Sequence, residues 1–234
     1  MDPVDDKLLA DGVPVFPLPN CVLLPGAVLP LHLFEPRYCQ MMRDLLKREA
    51  RQRLVAMALL KDGYEALYHT NQAAIHRVLC VGRVVHHEEL PDGRFNVLLL
   101  GYCRAVVRVE DKTREYRVGQ LHVLETGAVL DDESVALGGL RSLLNQAVER
   151  EICSTEVVSK LLETASSVES IADLLAYHFI PNDECELKQR VLEETSVPVR
   201  VEIVIRRLMQ LIEQHRRVRE RLETETWPPP PHPN

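Results

Sequence analysis

Four groupings of residues in this sequence have types and spacings that chemistry could use. His86-His87-Glu88-Glu89 offers two imidazoles and two carboxylates, the donors that hold a divalent metal ion. Adjacent strand residues face opposite sides, however, and no H-E-x-x-H spacing follows, so the run reads as a solvated strand end. Ser159-Lys160 supplies a hydroxyl and an amine, but neighbours on a helix point about 100° apart, which is poor placement for proton transfer. Cys21, Cys39 or Cys80 with His32 or His76 would give a nucleophile and a base. The sequence identifies no base, no group to orient one and no oxyanion hole, so these cysteines read as buried, inert thiols, with an unrecognised cysteine hydrolase as the alternative. None of the glycines is followed by Lys, so these residues hold no Gly-Lys-Ser/Thr loop for gripping phosphates and magnesium. The expectation is no catalytic residue, no metal and no cofactor.

Composition narrows the classes further. The 234 residues are 46% hydrophobic, enough for a substantial core, and the net charge is -7. An acidic balance argues against a general nucleic-acid binder, because phosphate contacts need concentrated Lys and Arg. The basic clusters, Arg43 to Arg53 and Arg206 to Arg221, are interleaved with Glu and read as solvated helix faces. No apolar run approaches the roughly 20 residues that cross a bilayer, and residues 1–11 are acidic and lack the pattern of a secretory signal. Six widely spaced cysteines without a C-x-x-C pair suit free thiols, so the expected location is the cytoplasm, with no membrane partner.

The elements that must position any site change character along the chain. Five prolines between Val13 and Leu33 exclude a helix and imply short extended pieces joined by turns. From Pro36, apolar residues at Tyr38, Met41, Met42, Leu45 and Leu46 predict one amphipathic helix ending near Arg53. Strands are predicted at Leu54 to Leu60, Val78 to His87, Phe95 to Leu100, Cys103 to Val109 and Tyr116 to Leu124. Lys61-Asp62-Gly63 and Pro91-Asp92-Gly93 supply the turns. Repeated strands with close turns predict a mainly antiparallel, barrel-like sheet.

After about Leu130 the period becomes helical: Leu137, Leu140, Leu144 and Val148 share one face, and Val157, Val158, Leu161 and Leu162 another. Ser170 to Asp173 has capping-box spacing, opening a helix that would bury Ile171, Leu174, Leu175 and His178. His122, like His178, reads as packed or hydrogen-bonded. A short helix follows through Leu187, Val191 and Leu192. A long one from about Pro198 buries Val201, Val204, Ile205, Leu208, Leu211 and Ile212. Trp227 and Pro228 to Pro231 read as an extended tail without a partner.

Phe16-Pro17-Leu18-Pro19-Asn20, Leu24-Pro25-Gly26 and the run Leu29 to Tyr38, which includes Pro30, Leu31, Phe34, Glu35 and Arg37, resemble the opening signature of the Lon protease N-terminal domain family. Val81-Gly82-Arg83-Val84, Gly101-Tyr102-Cys103-Arg104, Ile171 to Leu175 and Lys188 to Glu193 continue the likeness, over roughly residues 12–215. The resemblance implies an α+β fold, a PUA-like pseudo-barrel of about six mainly antiparallel strands with an inserted helix, followed by a C-terminal helical bundle. It also implies capture of unfolded polypeptide or protein clients for a AAA+ protease, here a separate one, because the ATPase and Ser/Lys peptidase motifs are missing from these residues. PUA-like barrels elsewhere dock RNA, which is the remaining alternative.

The expected organisation is an acidic tail over 1–11, the barrel over 12–128, a helical part over 129–215, and a charged helix end with its tail over 216–234. Pro25, Gly26 and Pro30 are expected to fix turns, Leu31 and Phe34 to fill the barrel, and Glu35 and Arg37 to pair with each other or with the sheet. Most of the signature, Phe16, Pro17 and Tyr38 included, thus reads as architecture. A ligand surface is expected from apolar residues that the barrel does not need: Leu24, Val28 and Leu29 in the loop Val22 to Leu31, and Tyr64, Leu67 and Tyr68 in an irregular stretch reaching Gln72.

Overall fold

The computed structural model describes residues 6–224; the Trp227 to Pro231 segment lies outside the described residues. A short helix α1 (Asp6–Ala10) inside the acidic stretch buries Leu9. Six strands follow: β1 (Val13–Leu18), β2 (Val28–Leu33), β3 (Leu54–Leu59), β4 (Val78–Glu89), β5 (Phe95–Asp111) and β6 (Arg117–Val123). Their order is β2-β5-β4-β3-β1-β6, and an added β5–β6 pairing closes the sheet on itself. All pairings are antiparallel except β1 with β3. The barrel is therefore mixed, because the segment between β1 and β3 carries β2 and a helix across one end before the chain returns beside β1.

That inserted helix, α2 (Pro36–Leu46), buries Tyr38, Met41, Met42 and Leu45 as its spacing predicts. It ends earlier than predicted, at Leu46, and residues 50–52 form a separate 3-10 turn. The two strands predicted on either side of Gly101 are one, since β5 runs unbroken for 17 residues and serves three neighbours. Gly63 and Gly93 hold the two predicted turns at φ +81° and +80°, a region that only glycine enters freely.

The second half is helical: α3 (Glu133–Glu149), α4 (Thr155–Thr164), α5 (Val168–Phe179), α6 (Cys185–Glu193) and α7 (Val197–Thr224). Asp132, Ser154 and Ser167 cap α3, α4 and α5. Ser167, not Ser170, starts α5, and Ser170 donates its backbone N–H to the Ser167 hydroxyl oxygen. The predicted box therefore sits one turn too far along. Asp173 is buried instead, where its carboxylate accepts hydrogen bonds from Arg104 of β5 (2.8 Å) and Arg200 of α7 (3.2 Å). Glu169 completes the cluster at 2.7 Å from Arg200. His178 and His122 are exposed, contrary to the packed reading, because each falls on the outward side of its element.

One hydrophobic core runs from Leu29, Leu33 and Phe95 of the barrel, through Met42 of α2, to Leu140, Leu175 and Leu208 of the helices. A second gathers Leu9, Val15, Ala56, Leu79 and Leu121. Strand β3 feeds both, and all six of its residues are buried. Phe34 does not fill the barrel: it is 62% exposed, just past the end of β2, while Leu33 turns inward in its place. Leu31 is half-buried against the core.

Candidate functional site

The loop between β1 and β2 forms one wall of a cleft, and its shape follows from two glycines. Gly26, at φ +81°, donates its N–H to the Gly101 carbonyl at 2.9 Å, and Gly101 donates to the Ala27 carbonyl at 2.8 Å. A Cβ on Gly101 would lie 2.1 Å from the Leu24 carbonyl oxygen, so only glycine lets the loop come this close to β5. Val22, Leu23 and Leu24 anchor the loop in the core. Val28, at 47% exposure, is left facing solvent.

Helices α4 and α5 supply the other wall. Together with Gly26, Ala27 and Val28, the side chains of Val157, Leu161, Leu174 and Tyr177 enclose a cleft of about 290 Å³. Tyr177 ties the walls together, its hydroxyl donating to the Val28 carbonyl at 3.2 Å. The other polar groups are largely engaged. Lys160 pairs with Glu156 at 2.6 Å, and the Thr164 hydroxyl donates to the Lys160 carbonyl at 2.7 Å. Partial burial of the His178 ring against the cleft, with the nearby Lys188 charge, lowers its pKa and disfavours the imidazolium. The lining suits apolar side chains.

The residues expected at a ligand surface are not brought together. Val28 lines the cleft, but Leu24 and Leu29 are buried at 0% and 9% exposure and serve the core. Only the first part of the Val22 to Leu31 stretch is a loop, since Val28 opens β2. Tyr64 and Leu67 are 39% and 41% exposed on a separate loop around a 3-10 turn, and none of Tyr64, Leu67 and Tyr68 lines the cleft. Sequence reading missed Val157, Leu161, Leu174 and Tyr177 as lining. The one available signal was the width of the α4 stripe, where Val157 and Val158 cannot both face the core.

The signature pair Glu35 and Arg37 latches that separate loop. The two pair at 2.9 Å, the Tyr68 hydroxyl donates to Glu35 at 2.6 Å, and Arg37 donates to the Tyr68 carbonyl at 2.9 Å. The Arg37 guanidinium also lies over the Tyr38 ring at 4.5 Å, and Phe16 meets Tyr38 edge-on at 4.2 Å. Burial, reinforced by the Glu35 carboxylate, pushes the Tyr68 phenol up to about 12.

The groups that could do chemistry do not assemble into a reactive site, although His32, His86 and Glu88 line one shallow groove. Glu88 accepts a hydrogen bond from Asn96, and His86 lies with His32 on the outer face of the barrel. Among the described residues no group of three or more His, Cys, Asp or Glu could hold a metal ion. Burial raises the thiols of Cys21, Cys39 and Cys80, and takes Cys103 to about 12, so these sulfurs stay protonated. No helix among the described residues is long and apolar enough to cross a membrane.

Comparison with known proteins places this architecture. Lon protease 2 of Sorangium cellulosum is 29% identical over 199 residues, covering 84% of this chain but 24% of its own length. The Lon protease of Buchnera aphidicola subsp. Schizaphis graminum is 25% identical over 90% of this chain and 27% of its own. The chain thus spans about a quarter of the length of these relatives. The solved N-terminal domain of a Mycobacterium avium complex Lon protease superposes with a TM-score of 0.65 at 15% identity, covering 85% of this chain and 98% of that one. A Lon N-terminal domain protein from Xanthomonas campestris gives 0.53 at 20% identity, over 86% and 97%. At such identities the likeness shows the fold alone. The family of the ATP-dependent protease La (LON) substrate-binding domain matches residues 12–210. With most of the described barrel and helices inside that match, the chain belongs to the Lon substrate-binding domain family.

Proposed function

We propose that this protein is a non-catalytic recognition module that binds exposed apolar stretches of unfolded polypeptide in the cleft between the barrel and helices α4 and α5, and delivers them to a separate ATP-dependent protease. The observation that carries the reading is the cleft itself, an apolar opening with Val28 and Val157 presented to solvent in a domain of a substrate-binding family. Fully burying an aliphatic side chain yields about 1.5–3 kcal/mol, and two or three of them offset only part of the cost of association. Binding is therefore broad and of about micromolar affinity. The reading gives the chain no hydrolysis of its own: Ser159 and Lys160 are both exposed on α4, but only Lys160 lines the cleft, where Glu156 holds it. It places the protein in the cytoplasm, where its six unpaired cysteines stay reduced.

The test is fluorescence anisotropy with a panel of labelled, chemically unfolded proteins titrated with the full chain. Saturable binding that barely responds to salt is expected. Absence of saturable binding across the panel overturns the proposal, and steeply salt-dependent binding to folded RNA would replace it with the RNA reading.

A further inference from the structure

A second groove lies at the far end of β5, where the loop before β4 crosses β5 and β6. It encloses about 340 Å³, and its charged lining is Arg77, Arg108, Glu110, Lys112 and Arg117. That is three more cations than carboxylates, on a chain whose net charge is -7. The excess is local and built in. Arg117 is 1% exposed and fixed by the Ala73 carbonyl at 2.7 Å and by Glu110. Glu110 is also shared with Lys112 at 3.7 Å, so one carboxylate answers two cations. Arg77 donates to the Val107 carbonyl at 3.1 Å and has no carboxylate partner among the described residues; Arg108 has no hydrogen-bond or ion-pair partner among them. The neighbouring carboxylates Asp111 and Glu193 are engaged by Arg114 and His76. The loop forming the rim is pinned by Asn71, which donates to the Arg114 carbonyl at 2.8 Å.

We infer that this groove binds an acidic segment of a polypeptide, and so acts as a second recognition site for the clients proposed above. Guanidinium groups without a carboxylate partner match carboxylates in forked geometry, which favours Asp and Glu side chains. A nucleic acid fits less well, since its charges repeat every few ångströms along a length greater than the groove, on a chain whose net charge is -7. The spacing to the cleft suits one client. Val28 pairs across the sheet with Leu100, and Val107 lies seven residues further along β5, roughly 20–25 Å at about 3.3 Å per residue. An extended stretch of similar length joins an apolar anchor to an acidic one. The inference rests on the reading of the cleft only for that pairing; the groove's own chemistry stands apart from it.

The experiment uses the full chain and a fluorescein-labelled peptide carrying six Asp and Glu residues, with its Asn/Gln counterpart, an apolar peptide and a short single-stranded RNA. The acidic peptide should bind at low salt, weaken as salt rises, and lose at least about tenfold in affinity on Arg77→Glu with Arg108→Glu. Both residues are exposed, so the fold should persist, and Arg108→Gln alone should give a smaller loss. Val28→Asp should leave acidic-peptide binding unchanged while weakening the apolar peptide, so the two sites can fail separately. Equal binding of the acidic peptide and its amide counterpart, or indifference to the double reversal, overturns the inference. So does tighter binding of the RNA that the same reversal abolishes.

Discussion

Replacing Asp173 with Ala should destabilise the fold far more than a one-residue surface change would. Its carboxylate is 1% exposed and serves two guanidiniums, Arg104 at 6% and Arg200 at 0% exposure. Without it, Arg200 keeps Glu169 at 2.7 Å, but Arg104 keeps only the Leu192 and Val191 carbonyls at 3.1 and 3.4 Å, with the Glu169 oxygen 4.0 Å away. One buried positive charge is then uncompensated, a change that costs about 3–5 kcal/mol. With a urea dependence near the top of the usual range of about 1–3 kcal/mol per molar, the unfolding midpoint should fall by about 1.5 M. Asp173→Leu combined with Arg104→Met removes one charge of each sign and should cost less than Asp173→Ala alone. Urea unfolding followed by circular dichroism measures both. A midpoint shift under about 0.3 M in Asp173→Ala, or a double variant worse than the single, would refute the reasoning.

Other outcomes follow from the same structure. Tyr68→Phe removes a 2.6 Å bond to a carboxylate and should weaken the latch by about 1–2 kcal/mol, read as faster amide exchange across residues 61–76 with little change elsewhere. Gly101→Ala places a Cβ 2.1 Å from the Leu24 carbonyl and should cost about 2 kcal/mol or more, with the loss seen both in thermal unfolding and in binding at the cleft. On acidification, burial works to raise the Glu169 carboxyl, but the Arg200 hydrogen bond and charge outweigh it and hold the pKa below the ordinary value. A depressed carboxyl contributes stability above its unfolded pKa, so the urea midpoint should be level from about pH 8 to 5 and fall below about 4.5. A midpoint that rises below that pH would contradict this. In alkali the sign reverses. Tyr68 and Tyr177, each pushed up to about 12 chiefly by burial, stabilise the neutral-phenol fold below pH 10, and that contribution disappears as pH rises towards 12.

The fold was largely legible because its signals are local. Glycine at +81° and +80° is what the Lys61-Asp62-Gly63 and Pro91-Asp92-Gly93 turns require, and of the predicted α7 stripe Val201, Val204, Leu208 and Ile212 are buried while Ile205 and Leu211 are half-buried at its edge. What escaped depends on partners distant in sequence. Nothing near Gly101 announces that the Leu24 carbonyl lies against it, and glycine inside a strand pattern signals a break, so the pattern predicts two strands where β5 is one. Asp173 looked like a cap because its partners are 69 and 27 residues away, though a charge inside Ile171 to Leu175 was a visible anomaly. The site was less legible still. A cleft belongs to two surfaces at once, and Val28 meets Val157 and Tyr177 only after the helices fold onto the barrel. Phe34 misled in the other direction, since strand alternation ends at Leu33 and the next ring is free to face water.

Polypeptide binding in the cleft is the central claim. Val28→Asp and Val157→Asp each place a charge on an exposed cleft residue, where stability should change by no more than about 0.5 kcal/mol. The direct measurement is the anisotropy titration of an unfolded, labelled polypeptide with the parent chain and with these two variants, alongside their urea midpoints. The account predicts that each variant loses about tenfold or more in affinity with its midpoint unchanged. Undiminished binding in both variants would contradict it.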